Sequence, residues 1–137
     1  MNPAEAYLES MVNTASPVQL IVLLYDRLIN LLNTAKTAIE EGIEEMENIK
    51  LKAESLSKAT DIVIFLQAIL DEEKGGDIAK NLHKIYDAFI QELIRINAEN
   101  DVKSIEEMIK IFEDLREVWV ELEKKYEENS KRATSGM

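Results

Sequence analysis

The sequence predicts an all-α protein: an antiparallel four-helix bundle with a short additional N-terminal helix and a disordered C-terminal tail. Three observations lead there. Glycine and proline number only four and two in 137 residues, against usual shares of about 7% and 5%, so the chain lacks the turn punctuation of a sheet protein. Apolar residues recur at the 3–4 spacing of amphipathic helices through most of the chain. The interruptions of that spacing are short, which favours up-and-down neighbours.

Asn2-Pro3 suits the start of a short helix, with Asn2 as N-cap and Pro3 in the first helical position. Tyr7, Leu8, Met11 and Val12 share one face of it. Ser16-Pro17-Val18-Gln19 is the strongest start signal in the chain, joining a capping hydroxyl, a pre-set proline and a capping-box glutamine. A first long helix is expected from Pro17 to about Met46, weakened near its end by Gly42. A second is expected over about Lys50–Lys74, with the seam Leu56, Ala59, Val63, Leu66 and Leu70, ended by Gly75-Gly76. Asp77 is the expected cap of a third, reaching about Asn97, with the seam Ile78, Leu82, Ile85, Phe89, Leu93 and Ile96. After a turn at Asn100-Asp101, a fourth is expected to start near Val102 or Ser104, the latter with Glu107 as a capping box. Its seam is Ile105, Met108, Phe112, Leu115, Trp119, Leu122 and Tyr126. The expected organisation is a single domain over residues 1–128, with 1–15 as a cap segment, followed by a polar tail over 129–137.

Charge and composition exclude several classes of function. With 27 acidic and 16 basic residues the net charge is −11, which repels nucleic acid and anionic membrane surfaces. The absence of cysteine excludes disulfides, thiol nucleophiles and thiolate-held metals. Met1 to Ser10 has no signal-peptide pattern. The longest apolar run, Leu20 to Tyr25, is far short of the ~18 residues of a membrane span. A cytoplasmic protein without membrane insertion is expected. The only histidine, His83, follows Lys80 by three, so the Glu-x-x-His pairs of di-metal bundles are missing; a rim or surface position is expected for it. In Asp71-Glu72-Glu73-Lys74-Gly75-Gly76, a calcium loop would need its bidentate Glu where Leu82 stands. There is no glycine-rich phosphate loop. No catalytic residue, metal or cofactor is expected, and the chain reads as a non-enzyme.

The apolar stripes are wider than a bundle needs. In the first half of the first long helix, Leu20, Ile21, Leu24, Leu28, Leu31 and Leu32 already fill one stripe. Val18, Val22, Tyr25 and Ile29 widen it to roughly 200°, where a little over ~100° suffices. Ile62, Phe65 and Ile69 widen the second helix, Tyr86, Ile90 and Ile94 the third, and Ile111 and Val118 the fourth. Each shoulder taken singly suits ordinary core. Together they exceed the few hundred Å² that monomers commonly expose. The cover is expected from the short first helix, from a second copy in a homodimer, or from an amphipathic partner helix in a groove. The expected partner-binding residues are Val18, Ile21, Val22, Tyr25, Ile29, Ile62, Phe65 and Ile69. Tyr7, Leu8 and Met11 are the expected removable cap over the groove. Tyr25 suits the core equally well, and Trp119 is expected between helices.

Tyr7, Thr14-Ala15-Ser16-Pro17, Gln19-Leu20-Ile21 and Leu24-Tyr25-Asp26 resemble the N-terminal signature of the FliS family, the flagellin-specific export chaperones. Leu66 to Leu70, Gly75-Gly76-Asp77-Ile78-Ala79, Asn81-Leu82, Ile85-Tyr86-Asp87, Asn97 and Leu115-Arg116-Glu117-Val118-Trp119 resemble its later blocks in order. The resemblance covers about Tyr7 to Trp119. Asp87-Ala88-Phe89 departs from it where a second aromatic often follows the Tyr-Asp pair, and Asn97 follows Ile96 where Ala-Asn is usual. The resemblance implies a cytosolic helical bundle that holds the disordered C-terminal segment of flagellin in apolar grooves. It would thereby prevent premature filament polymerisation and support delivery to the flagellar type III export gate, with neither catalysis nor cofactor. The alternative is a helical adaptor or regulatory protein that binds a different amphipathic helix.

Overall fold

The computed structural model describes residues 17–135, without the side chains of 126 and 130–135. Its helices are α1 (Pro17–Gly42), α2 (Met46–Ala68), α3 (Glu72–Glu99) and α4 (Val102–Ser135). The fold class is the expected one, all-α with four helices. The short first helix, its residues Tyr7, Leu8 and Met11, and the Ser16 cap lie outside the described residues. α4 takes in residues 129–135 of the segment that composition sets apart as a tail.

Three helix boundaries differ from expectation, each for a local reason. α1 stops at Gly42, not Met46, because Gly42 has φ +129, a conformation that favours glycine. The Asn48 side-chain amide donates to the Gly42 carbonyl at 2.9 Å and so ties off the turn. Met46 instead opens α2 and is 65% exposed, so it leaves the α1 stripe. α2 ends at Ala68 rather than near Lys74, because the Asp71 carboxylate accepts the Lys74 amide at 3.0 Å and starts a new helix. The start expected at Asp77 therefore moves back to Asp71. Gly76 (φ 56, ψ −134) survives as a kink inside α3 rather than as a boundary. α4 is capped by Asp101, which accepts the Ser104 amide at 3.1 Å and hydroxyl at 2.7 Å. Ser104 is thus the donor to a cap and not the head of a capping box.

Packing divides the chain into two compact units. One joins α1 as far as Asp26 to α4 from Phe112 onward. Its centre is Tyr25, fully buried, with its ring 5.8 Å from that of Phe112 and tilted by 49°. The Trp119 indole N–H donates to the Tyr25 hydroxyl at 3.2 Å, and Arg116 Nε donates to Asp26 at 2.5 Å.

The other unit is Arg27–Ile111. Here α2 and α3 run antiparallel. Gln67, late in α2, donates to the His83 carbonyl at 3.0 Å and to Asp87 at 2.7 Å, near the middle of α3. Lys52, early in α2, donates to the Asn97 carbonyl at 2.9 Å and to Asn100 Oδ1 at 2.7 Å, at the far end of α3. Leu56, Ala59, Val63 and Leu66 of α2 are buried, as their spacing predicts. On α3 the buried row is Ala79, Tyr86, Phe89, Leu93 and Ile96. Ile78 and Ile85, expected in the seam, are exposed, and Tyr86, expected on the shoulder, is core. At the α3–α4 turn, Arg95 bonds Glu92, Glu99, Asp101 and Ser104.

Candidate partner-binding surface

The predicted residues separate into three environments. Val22 and Tyr25 are buried, so both are core side chains of the α1–α4 unit and neither forms an open surface. Val18, Ile21, Ile29 and Ile62 are half-buried. Phe65 and Ile69 are each 42% exposed. Ile62, Phe65 and Ile69 follow one another at spacings of three and four, which sets them along a single edge of α2. That edge lies wholly in the Arg27–Ile111 unit. Val18, Ile21, Val22 and Tyr25 belong to the other unit.

A second surface feature, of mixed polarity, escaped the sequence reading. Between α2 and α3 runs a surface furrow of about 260 Å³, lined by Ala53, Leu56, Ser57, Thr60, Asp61, Leu93, Ile94 and Asn97. Its floor is the buried pair Leu56 and Leu93. One wall is the row of small residues Ala53, Ser57 and Thr60, spaced by four and three along α2. The opposite wall is Ile94, a predicted shoulder, which is 61% exposed. The Thr60 hydroxyl donates to the Leu56 carbonyl at 2.8 Å, so it makes no polar demand on the furrow. The available signal was the run of small residues, which widens the gap beside a helix seam. Reading the stripes for bulky residues passed it over.

Electrostatics concentrates at the α3–α4 turn. Hydrogen bonds from the Ser104 hydroxyl and amide, with Arg95 beside them, bring the Asp101 carboxyl down to about 2. Arg95 likewise lowers Glu92. These groups fix a turn and touch neither apolar edge. His83 is half-buried near the end of α2, 3.6 Å from Asp87 through Nδ1. Among the described residues no cluster of three or more His, Cys, Asp or Glu could hold a metal ion. None of the described helices is long and apolar enough to cross a membrane.

Fold and surface define an all-helical protein that leaves apolar side chains exposed on α2 and α3. The profile of the family described as Flagellar protein FliS matches residues 1–126. The chain is 39% identical over 123 residues to the flagellar secretion chaperone FliS of Salmonella typhimurium, covering 89% of this chain and 87% of that one. It is 34% identical over 118 residues to the protein of the same name from Vibrio cholerae, covering 86% and 83%. For that of Bacillus subtilis the identity is 30% over 118 residues, covering 86% and 84%. This chain belongs to the FliS family, and its curated relatives are named as chaperones.

Proposed function

We propose that this protein is a cytoplasmic export chaperone that holds the disordered C-terminal segment of flagellin, prevents its premature polymerisation and supports its delivery to the flagellar export gate. The observation that carries the reading is apolar surface left open on a member of a secretion-chaperone family: Phe65 and Ile69 on one edge of α2 and Ile94 on α3. A segment that folds as it binds supplies the missing neighbours, burying on the order of 1,000–3,000 Å² and spending ~2–5 kcal/mol on ordering. Ile29, Ile62, Phe65 and Ile69 are contact residues of the Arg27–Ile111 unit, and Val18 and Ile21 are separate contact residues of the other unit. Val22 and Tyr25 support that stretch of α1 from behind. Tyr7, Leu8 and Met11 act as a cap that the cargo displaces.

The test is a pull-down of flagellin, intact and lacking its C-terminal segment, on the purified full-length chain. Intact flagellin is retained and the truncated form is lost. Equal retention of both, or of neither, contradicts the reading. Deleting Met1 to Val12 leaves the helices folded and strengthens or barely changes retention if the cap is removable. Unfolding on that deletion rejects the cap.

A further inference from the structure

The connection between α2 and α3 is held by its own backbone rather than by the core. From Gln67 to Ile78 none of the described residues is buried, between the buried Leu66 of α2 and the buried Ala79 of α3. Within it the chain makes one separate turn. Asp71 is extended (φ −97, ψ 94), its carboxylate accepts the Lys74 amide at 3.0 Å and its carbonyl accepts the Gly75 amide at 2.7 Å. Gly76 then breaks the helix at φ 56, ψ −134, a conformation that strains any residue with a Cβ. A Cβ on Gly75 would stand 2.6 Å from that of Ala79, so the chain folds back tightly there. The exposed Asp77 carboxylate, at the start of the main run of α3, bonds none of the described residues.

We propose that this connection is a two-state switch in which Asp71 and Asp77 compete as helix caps. The capped form is the one the structure shows. In the straight form α2 runs on through Lys74, Gly75-Gly76 make the turn, and Asp77 caps α3. The register permits both. Gln67 donates to the His83 carbonyl, which sets these two residues level. Lys74 lies seven residues beyond Gln67, roughly 10 Å along a helix, and Asp77 lies six before His83, roughly 9 Å. The two ends therefore meet at one height, where a two-residue link joins antiparallel helices. The straight form continues the buried row Ala59, Val63 and Leu66 to Leu70 at the same alternating spacing. It also places the left-handed residue at Gly75, just past the helix end, and relieves residue 76 of its positive φ. The Asp71 cap is what holds the other form. The switch reaches the exposed edge of α2: only in the straight form do Glu72 and Glu73 follow Ile69 at helical spacings of three and four, setting two carboxylates at its end.

The experiment reads the Cα chemical shifts of Leu70 and residue 71 by NMR of the isotope-labelled full-length protein. The variants are Asp71→Ala, Asp71→Asn and the pair Asp71→Ala with Gly76→Ala, the last also with Asp77→Ala. Asp71 and Asp77 are exposed, and a Cβ at Gly76 meets nothing within 4 Å, so backbone conformation alone penalises Gly76→Ala. Loss of the cap raises the ratio of straight to capped form about fivefold, and strain at residue 76 raises it about tenfold more. The double variant is expected to be mainly straight, with a helical shift at residue 71. Asp71→Asn keeps a cap and stays extended there, as wild type does. Adding Asp77→Ala to the double variant brings the ratio back by about fivefold. A residue 71 that stays extended in the double variant overturns the inference, and so does a ratio that ignores Asp77→Ala. If the double variant fails to fold, Asp71→Ala decides alone: Leu70 moves toward helix if the switch exists, and a move toward coil overturns it.

Discussion

In α1, Val22 and Tyr25 are buried, Tyr25 packing against Phe112 and accepting a hydrogen bond from Trp119. At the end of α2, Phe65 and the C-cap residue Ile69 are each 42% exposed. Both helices carry apolar shoulders beside a full seam, so width of stripe alone does not say whether a shoulder is core or surface. What separates them is an aromatic counterpart at the right height on another helix. Phe112 and Trp119 supply it for α1.

The largest effect expected from this contrast is on stability. Tyr25→Ala removes a fully buried ring and should cost ~3–5 kcal/mol in urea unfolding. Phe65→Ala should cost less than about 1 kcal/mol in the same assay. A large loss at Phe65 would mean that the α2 edge is core after all. Next in size is Lys52→Met, which keeps the aliphatic stem but strips the donor from the Asn97 carbonyl and the Asn100 side chain. The expected loss is ~1–3 kcal/mol by denaturant unfolding. Binding reverses the ranking of the two shoulders: Phe65→Asp or Ile62→Asp should lower affinity for flagellin's C-terminal segment more than tenfold (~1.4 kcal/mol) without loss of helicity. Unchanged affinity in calorimetry removes those residues from the surface.

The smallest effect is on pH dependence. Asp101 is held at about 2 against its ordinary 3.8, so the native state favours its ionised form. Its contribution to stability is complete above the ordinary value and is lost as pH falls toward about 2. Asp101→Asn should therefore lower stability at neutral pH and flatten the acid limb of an unfolding curve measured between those values. An unchanged acid limb would show that the turn at Asp101 does not couple to folding.

The four helices and the α2 seam were legible in the sequence because 3–4 spacing is a strong signal. Two kinds of detail were not. Asp71 outcompeted Gly75-Gly76 as a boundary because a carboxylate that caps an amide starts a helix wherever the following residues tolerate one. On α3 two apolar rows run side by side. Ile78 and Ile85 lead, seven residues on, to Glu92, whereas Ala79 and Tyr86 lead to Leu93. The row that continues into Leu93 is the buried one, so an unbroken extension of the seam was the better guide than side-chain bulk. Of the candidate site, the α2 edge was visible as surplus width. The furrow was not, because its wall is made by what is missing from Ala53, Ser57 and Thr60. The burial of Lys52 goes with its bonds to the end of α3 and the turn after it, which no local pattern reports.

The outer edges of α2 and α3 are the proposed binding surface. The direct measurement is methyl NMR of the isoleucine-labelled protein during titration with flagellin's C-terminal segment. Ile62, Ile69 and Ile94 should shift strongly on addition of the segment, while the buried Ile96 and Ile105 hold nearly still. Binding that leaves the edge methyls in place and moves only the buried ones would contradict it.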